Sequence, residues 1–170
     1  MFQDEARFGR ITDPRSCWAP APLRPLVDLA LIREFRYQYA AVSPFDGHLD
    51  HMTSDKMNTE NMTKFLAQIS NTHPEEFCIM ILDGASSHKS KDLIIPDNIS
   101  LVFLPPYSPE LNPAEQIWNI LRRDYFANCV FDSLDAATRQ AEMGLYKMAS
   151  NKSAMQSLTN WHWISDILNA

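Results

Sequence analysis

Asp4, Asp83 and Glu115 are the residues whose type and setting point to chemistry. Asp83 stands where the apolar run Phe77-Cys78-Ile79-Met80-Ile81-Leu82 stops at Asp83-Gly84. That run has the length of a strand buried on both faces, so it puts the carboxylate at a strand's carboxyl end. Asp4 lies in the short stretch Met1-Phe2-Gln3-Asp4-Glu5, which reads as the end of a second strand. If the two strands pair, both acids face the region beyond the strand ends where ligands of α/β sheets gather. Glu115, on the first turn of a helix, leans over the same end. Three hard oxygen ligands with open coordination positions suit Mg²⁺, with Mn²⁺ as the alternative. Two such ions, about 3.5–4 Å apart, stabilise the attacking and leaving oxygens of an in-line phosphodiester displacement, with no covalent protein intermediate. Composition alone does not single out these three acids. The chain has 21 Asp and Glu residues, most of them ordinary surface charge, and Glu115 follows an Asn112 cap at a position that suits capping and the helix dipole.

The positioning elements are legible around these residues. Residues 34–43 alternate polar and apolar through Ala41, as a strand with one buried face does, and Ser43-Pro44-Phe45-Asp46-Gly47 supplies turn chemistry. His48 to Thr53 returns as an antiparallel partner. Met62, Phe65, Leu66 and Ile69 then fall at helical spacing behind an Asn58 or Thr59 cap, giving a helix to about Asn71. Ile99 to Leu104 repeats the buried-strand pattern and is stopped by Pro105-Pro106. A helix starts at Asn112-Pro113 with Ile117, Ile120 and Leu121 on one face, and Ser133 caps another with a buried stripe of Ala137, Ala141, Leu145 and Met148. Strands followed by helix, strand, strand and helices describe a mixed sheet flanked by helices.

Composition narrows the class. A chain of 170 residues with 45% hydrophobic residues closes one ordinary core. Four glycines against eleven prolines, with no phosphate-loop pattern, exclude nucleotide-binding fingerprints. Cys17, Cys78 and Cys129 lack any Cys-x-x-Cys pair and read as reduced, buried thiols. The first residues lack a leader's charged and apolar regions, and no apolar run reaches membrane-span length, so the expectation is a cytoplasmic protein with no membrane partner. A net charge of −6 argues against tight autonomous DNA binding but not against a nuclease core that borrows DNA affinity. His48 and His51 invite a metal reading, but on a strand their imidazoles point to opposite faces. Trp118, Trp161 and Trp163 read as packing rather than base-stacking residues.

Three blocks carry a specific resemblance: Asp4-Glu5-Ala6-Arg7-Phe8-Gly9; Leu82-Asp83-Gly84-Ala85-Ser86-Ser87-His88-Lys89-Ser90; and Leu104-Pro105-Pro106-Tyr107-Ser108-Pro109-Glu110-Leu111-Asn112-Pro113-Ala114-Glu115-Gln116-Ile117-Trp118. In order and spacing they resemble the mariner-related bacterial insertion-sequence transposases of the DDE endonuclease superfamily, over nearly the whole chain. The resemblance implies a ribonuclease-H-like α/β fold, a mixed five-stranded sheet flanked by helices. It makes Asp4, Asp83 and Glu115 the catalytic metal ligands, with two Mg²⁺ (or Mn²⁺) ions per site, and leaves Glu5 and Glu110 as flanking acids. It places at His88 a histidine that contacts the metal's water or a phosphate, where an ordinary hydrogen-bonding loop histidine is the equal alternative. Arg122, seven residues after Glu115 and so on the same helical face, and its neighbour Arg123 are candidates for DNA phosphate contacts, or plain surface arginines.

The implied activity is metal-dependent strand cleavage and strand transfer in cut-and-paste transposition, by a homodimer on transposon ends and target DNA, nucleoid-associated while bound. Three departures qualify it. Gly84 stands where the family usually has asparagine, and the Asp83-to-Glu115 separation of 32 is short for the family, as a trimmed loop around Lys91 to Asn98 would make it. Only Met1, Phe2 and Gln3 precede Asp4, so residues 1–170 are expected to form a single catalytic domain lacking the family's N-terminal helix-turn-helix region, which a separate polypeptide would supply. Two alternatives follow: a truncated remnant that dimerises with intact copies and inhibits them, and a ribonuclease-H-like nuclease.

Overall fold

The alternation Phe2, Ala6, Phe8 against Gln3, Glu5, Arg7 makes a ten-residue strand, β1 (Phe2–Ile11), with two chemically distinct faces. The computed structural model, which describes residues 1–168, places β1 in the middle of a five-stranded sheet of order β3-β2-β1-β4-β5. β2 (Leu31–Val42) and β3 (Leu49–Ser54) form an antiparallel meander on one side of β1, with Asp4 opposite Ala40 and Ala40 opposite His51. β4 (Cys78–Leu82) and β5 (Ile99–Phe103) run parallel to β1 on the other side. The seam between β1 and β4 is short: Phe2 pairs with Ile81, the Ile81 N–H donates to the Met1 carbonyl at 2.8 Å, and the Met1 ammonium donates to the Ile79 carbonyl at 2.7 Å.

Among the described residues, one helix covers one face and four cover the other. α1 (Thr59–Thr72) begins at Asn58, whose side chain accepts from the Asn61 N–H at 2.9 Å. Its stripe of Met62, Phe65, Leu66 and Ile69 packs on Tyr39, Ala41, Met80 and Leu82. The opposite face, with Phe2, Ala6, Phe8, Ala40 and Val42, is covered by α2 (Glu115–Ile120), its π-helical continuation Leu121–Phe126, α3 (Leu134–Ala149), α4 (Lys152–Thr159) and α5 (His162–Leu168). The Ser133 hydroxyl caps α3 by accepting from the Ala136 N–H at 3.1 Å.

Several expectations are corrected here. β1 does not end near Asp4; it runs on for seven residues, and Asp4 is its third. β2 is buried on both faces from Tyr39 to Val42 because it is an inner strand, whereas its first residues pair with β1 alone, past the end of β3, and are exposed. β4 and β5 are not buried on both faces: Ile79 is 52% and Val102 47% exposed, because the four-helix layer sits over β1–β3 and leaves that side of the parallel strands open. The helix expected from Asn112-Pro113 starts at Glu115, although the Asn112 side chain still accepts from the Ala114 N–H at 3.1 Å. Cys17 is exposed rather than buried. Among the described residues no helix is long and apolar enough to cross a membrane.

Candidate active site

Asp4 and Asp83 approach one another because β1 and β4 are parallel neighbours: Asp4 lies two residues past the Phe2–Ile81 pair and Asp83 two residues past Ile81. Glu115 reaches the same place because the loop before α2 is pinned to β1. The buried Asn112 side chain donates from Nδ2 to the Gln3 carbonyl at 2.9 Å. All three acids line a single cleft of about 450 Å³, together with Gly84, Lys89, Pro105, Tyr107 and Asn112.

Strand alternation sends Asp4 and Glu5 to opposite faces, and each finds its own partner. Asp4 points to the four-helix face, where the Trp118 indole Nε1 donates to its Oδ2 at 2.8 Å. Burial and the nearby Glu115 carboxylate push the Asp4 pKa up to about 7, against the opposing pull of the Trp118 hydrogen bond. Glu5 points to the α1 face and meets His88, whose Nε2 lies 2.8 Å from Glu5 Oε1. The His88 Nδ1 lies 2.9 Å from Asp83 Oδ1 and 3.2 Å from the Asp83 carbonyl. His88 is 3% exposed and bridges the buried Glu5 to the solvent-facing Asp83. Burial drives its pKa down, but the Glu5 bond and charge, with Asp83, outweigh this and leave it raised to about 8. The Asp83 Oδ1 also accepts from the Ala85 N–H at 2.9 Å, which closes the turn.

The other sequence candidates lie elsewhere. Arg122 is absent from the acid cleft: seven residues keep it on Glu115's side of the helix but carry it two turns, roughly 10 Å, farther along the axis. Its guanidinium sits over the Phe8 ring, 5.3 Å from the centroid, and lines a separate groove with Arg7 and Arg15 farther along β1. Arg123 is exposed and paired with the adjacent Asp124. Glu110 is exposed on a short 3₁₀ turn, Pro109–Leu111.

Two residues that sequence reasoning left aside belong to the site. Trp118 is buried, as expected, yet its indole N–H also holds Asp4; its place three residues after Glu115, on the same helix face, was the available signal. Lys89 lines the cleft with its ammonium 5.2 Å from the Phe103 ring centroid, and it crosses Gly84 so closely that a Cβ there would meet its Nζ. Tyr107, fully exposed on the rim, holds a left-handed φ of 58°.

A mixed five-stranded sheet in this strand order, flanked by helices and carrying one acid on its central strand and another just past the end of the adjacent parallel strand, is the ribonuclease-H-like class. The family model of the DDE superfamily endonucleases matches residues 1–137, and the chain belongs to that family. It is similar to the uncharacterized protein y4pE/y4sA of Sinorhizobium fredii, with 38% identity over 100 residues, 58% of this chain and 74% of that protein. Among solved structures it resembles the Mos1 strand transfer complex (TM-score 0.60, 12% identity, 95% of this chain and 54% of that one). It also resembles the Mos1 mariner paired end complex with Mn (TM-score 0.58, 14% identity, 94% and 55%). The chain thus spans about 55% of the length of the Mos1 transposase chains it matches. DDE endonucleases depend on divalent metal, and the donor set fits: three carboxylates line one cleft, and burial together with the nearby Glu115 raises the Asp4 pKa to about 7, a burden of buried negative charge that a divalent cation relieves.

Proposed function

We propose that this chain is the catalytic module of a cut-and-paste transposase that cleaves DNA strands at transposon ends and joins them to target DNA. The observation that carries the reading is the convergence of Asp4, Asp83 and Glu115 on one cleft in a chain of the DDE endonuclease family. In this reading the three carboxylates hold Mg²⁺ or Mn²⁺. Two such ions would supply the positive charge that stabilises the attacking and leaving oxygens of an in-line displacement. Asp4 is oriented by Trp118, and Asp83 by His88, which Glu5 holds from behind. His88 acts through Asp83, as a positioning residue. Lys89 stands within the cleft, where its ammonium can meet a phosphate oxygen, and the groove of Arg7, Arg15 and Arg122 offers further phosphate contacts. Arg123, tied to Asp124, plays no part.

Recognition of transposon ends belongs, in this proposal, to a segment or polypeptide outside residues 1–170, consistent with a net charge of −6 that disfavours autonomous DNA binding. The working form is a homodimer. The connection between β1 and β2 supports this, because within residues 18–29 it leaves Trp18, Leu23, Leu26 and Leu29 exposed, apolar side chains of the kind that a protein contact covers.

The test is an assay of cleavage and joining on DNA bearing the element's terminal repeat, with the end-binding segment present. Metal-dependent cutting followed by joining of the freed 3′ end, both abolished by Asp83→Asn, is the expected result. Indiscriminate cutting without joining would instead support a simple nuclease. Neither reaction from a folded, metal-loaded protein would make it an inhibitory remnant.

A further inference from the structure

On the α1 side of the sheet, away from the acid cleft, His48, Asp50 and His73 place one ligand atom each within 4.8 Å of one another. Asp50 follows Leu49 on β3 and pairs with Ala41, which packs against α1, whereas Asp4 points to the opposite face. The carboxylate is only 7% exposed, and its two oxygens face two imidazoles: His73 Nε2 lies 2.9 Å from Oδ2 and His48 Nε2 lies 3.5 Å from Oδ1. The two rings stand edge to face with centroids 4.7 Å apart. We propose that His48, Asp50 and His73 form a binding site for a transition-metal ion of the Zn²⁺ class, distinct from the site of the three acids.

Simple ion pairing accounts for one imidazole. The His73–Asp50 contact is a good hydrogen bond, but the His48 nitrogen, 3.5 Å from its oxygen, stands too far for a strong one. Two imidazole Nε2 atoms and one carboxylate converge within 4.8 Å of one another, two nitrogen donors and an anionic oxygen donor of the kind a zinc-like cation takes. Ligand atoms around a four-coordinate zinc, at about 2.0–2.2 Å from the metal, stand roughly 3.3–3.6 Å apart, between the 2.9 Å of the closest pair here and the 4.8 Å that bounds the set, so small shifts of the side chains close the site. Two imidazoles and a carboxylate favour zinc-like ions over Mg²⁺, whose preference is for oxygen.

All three ligands are already held. The His48 carbonyl accepts from the Ser43 N–H at 2.8 Å, and the turn before it is closed by Gly47 at φ 69°, packed against the start of α4. His73 is the C-cap of α1: its N–H donates to the Ile69 carbonyl at 2.9 Å, and its own carbonyl accepts from Asn98 Nδ2 at 3.0 Å. The His73 Nδ1 meets Glu76 Oε2 at 3.1 Å. A carboxylate on the far nitrogen is the usual outer partner of a metal-binding histidine, fixing its tautomer and aiming Nε2 inward. A bound ion would tie the β2–β3 turn, the edge strand β3 and the end of α1 together, with water completing its coordination.

The test is Co²⁺ titration of the full chain in excess Mg²⁺, followed by its visible spectrum, with Zn²⁺ thermal shifts in parallel. One equivalent of Co²⁺ should give a four-coordinate spectrum in the native chain and in Asp83→Asn, lost in both His48→Gln and His73→Gln. Zn²⁺ at about a hundred times its Kd should raise the native Tm by roughly 5–10 °C. The His48 side chain is partly exposed and belongs to neither core cluster, so its variant retains the fold by circular dichroism even if His73→Gln loosens α1. Absence of that spectrum from the native chain, or its persistence in His48→Gln, overturns the proposal.

Discussion

At the scale of single residues, the site is organised by which way each acid turns from β1. Asp4 and Glu5 are adjacent, yet one faces Trp118 and the other His88. Removing an outer partner of a ligand typically costs 10–100-fold in metal affinity, so His88→Ala, which frees Asp83 and leaves Glu5 without its partner, is expected to weaken Mn²⁺ binding by about that factor. Calorimetry reads this directly, and unchanged affinity would remove His88 and Glu5 from the site. The titrating groups also predict a pH dependence. The folded Asp4 pKa, raised to about 7 by burial and Glu115, lies above its unfolded value, so the native state holds an extra proton between roughly pH 4 and 7. Stability of the metal-free protein should therefore fall as pH rises through that window. The raised pKa of His88 extends the fall to about pH 8, since its contribution is complete below its unfolded value near 6.5. Asp4→Asn should flatten the lower part of the curve in urea unfolding at successive pH values; a native curve that rises from pH 4 to 7 would contradict the assignment. The acids themselves were legible, because strand ends, caps and the proline-rich block surround them in local sequence. The bridge from Glu5 through His88 to Asp83, and the His48–Asp50–His73 cluster, were not. They join residues 83 and 23 positions apart that only the sheet brings together.

At the scale of elements, the segments read most accurately are those whose local signals agree. α1 has its Asn58 cap, its 3.6-residue stripe and its end near Asn71 all in sequence, and α3 has Ser133 and its buried stripe. The exposure of Ile79 and Val102 was hidden, because an apolar run specifies a strand without saying whether helices will cover its second face. The π-helical turn from Leu121 to Phe126 was equally hidden. That wide turn is accommodated by α3: a Cβ on Gly144 would collide with Leu121 and crowd Tyr125. Gly144→Ala is therefore expected to destabilise the protein by about 1–3 kcal/mol despite alanine's better helix propensity, the usual cost of overpacking a filled core. Urea unfolding measures it, and a stabilised variant would show that α3 can simply move away.

At the scale of the whole molecule, a central strand paired antiparallel on one side and parallel on the other puts the carboxyl end of β4 beside Asp4, while the β1–β2 hairpin carries apolar side chains out into solvent. If that hairpin is the dimer contact, sedimentation of the native chain should show a dimer at micromolar concentration, and Leu26→Glu should shift it to monomer without loss of helix content. A native monomer would exclude this surface as a stable contact. The claim on which everything else depends is that Asp4, Asp83 and Glu115 form one divalent-metal site. The direct measurement is calorimetric titration of Mn²⁺ and Mg²⁺ into the native chain and into Asp4→Asn, Asp83→Asn and Glu115→Gln, at pH 8, where Asp4 is ionised, and with Zn²⁺ chelated away from the histidine cluster. The account predicts binding by the native chain that each single substitution abolishes; a folded native chain that ignores both ions even with DNA present, or variants that bind as it does, would contradict it.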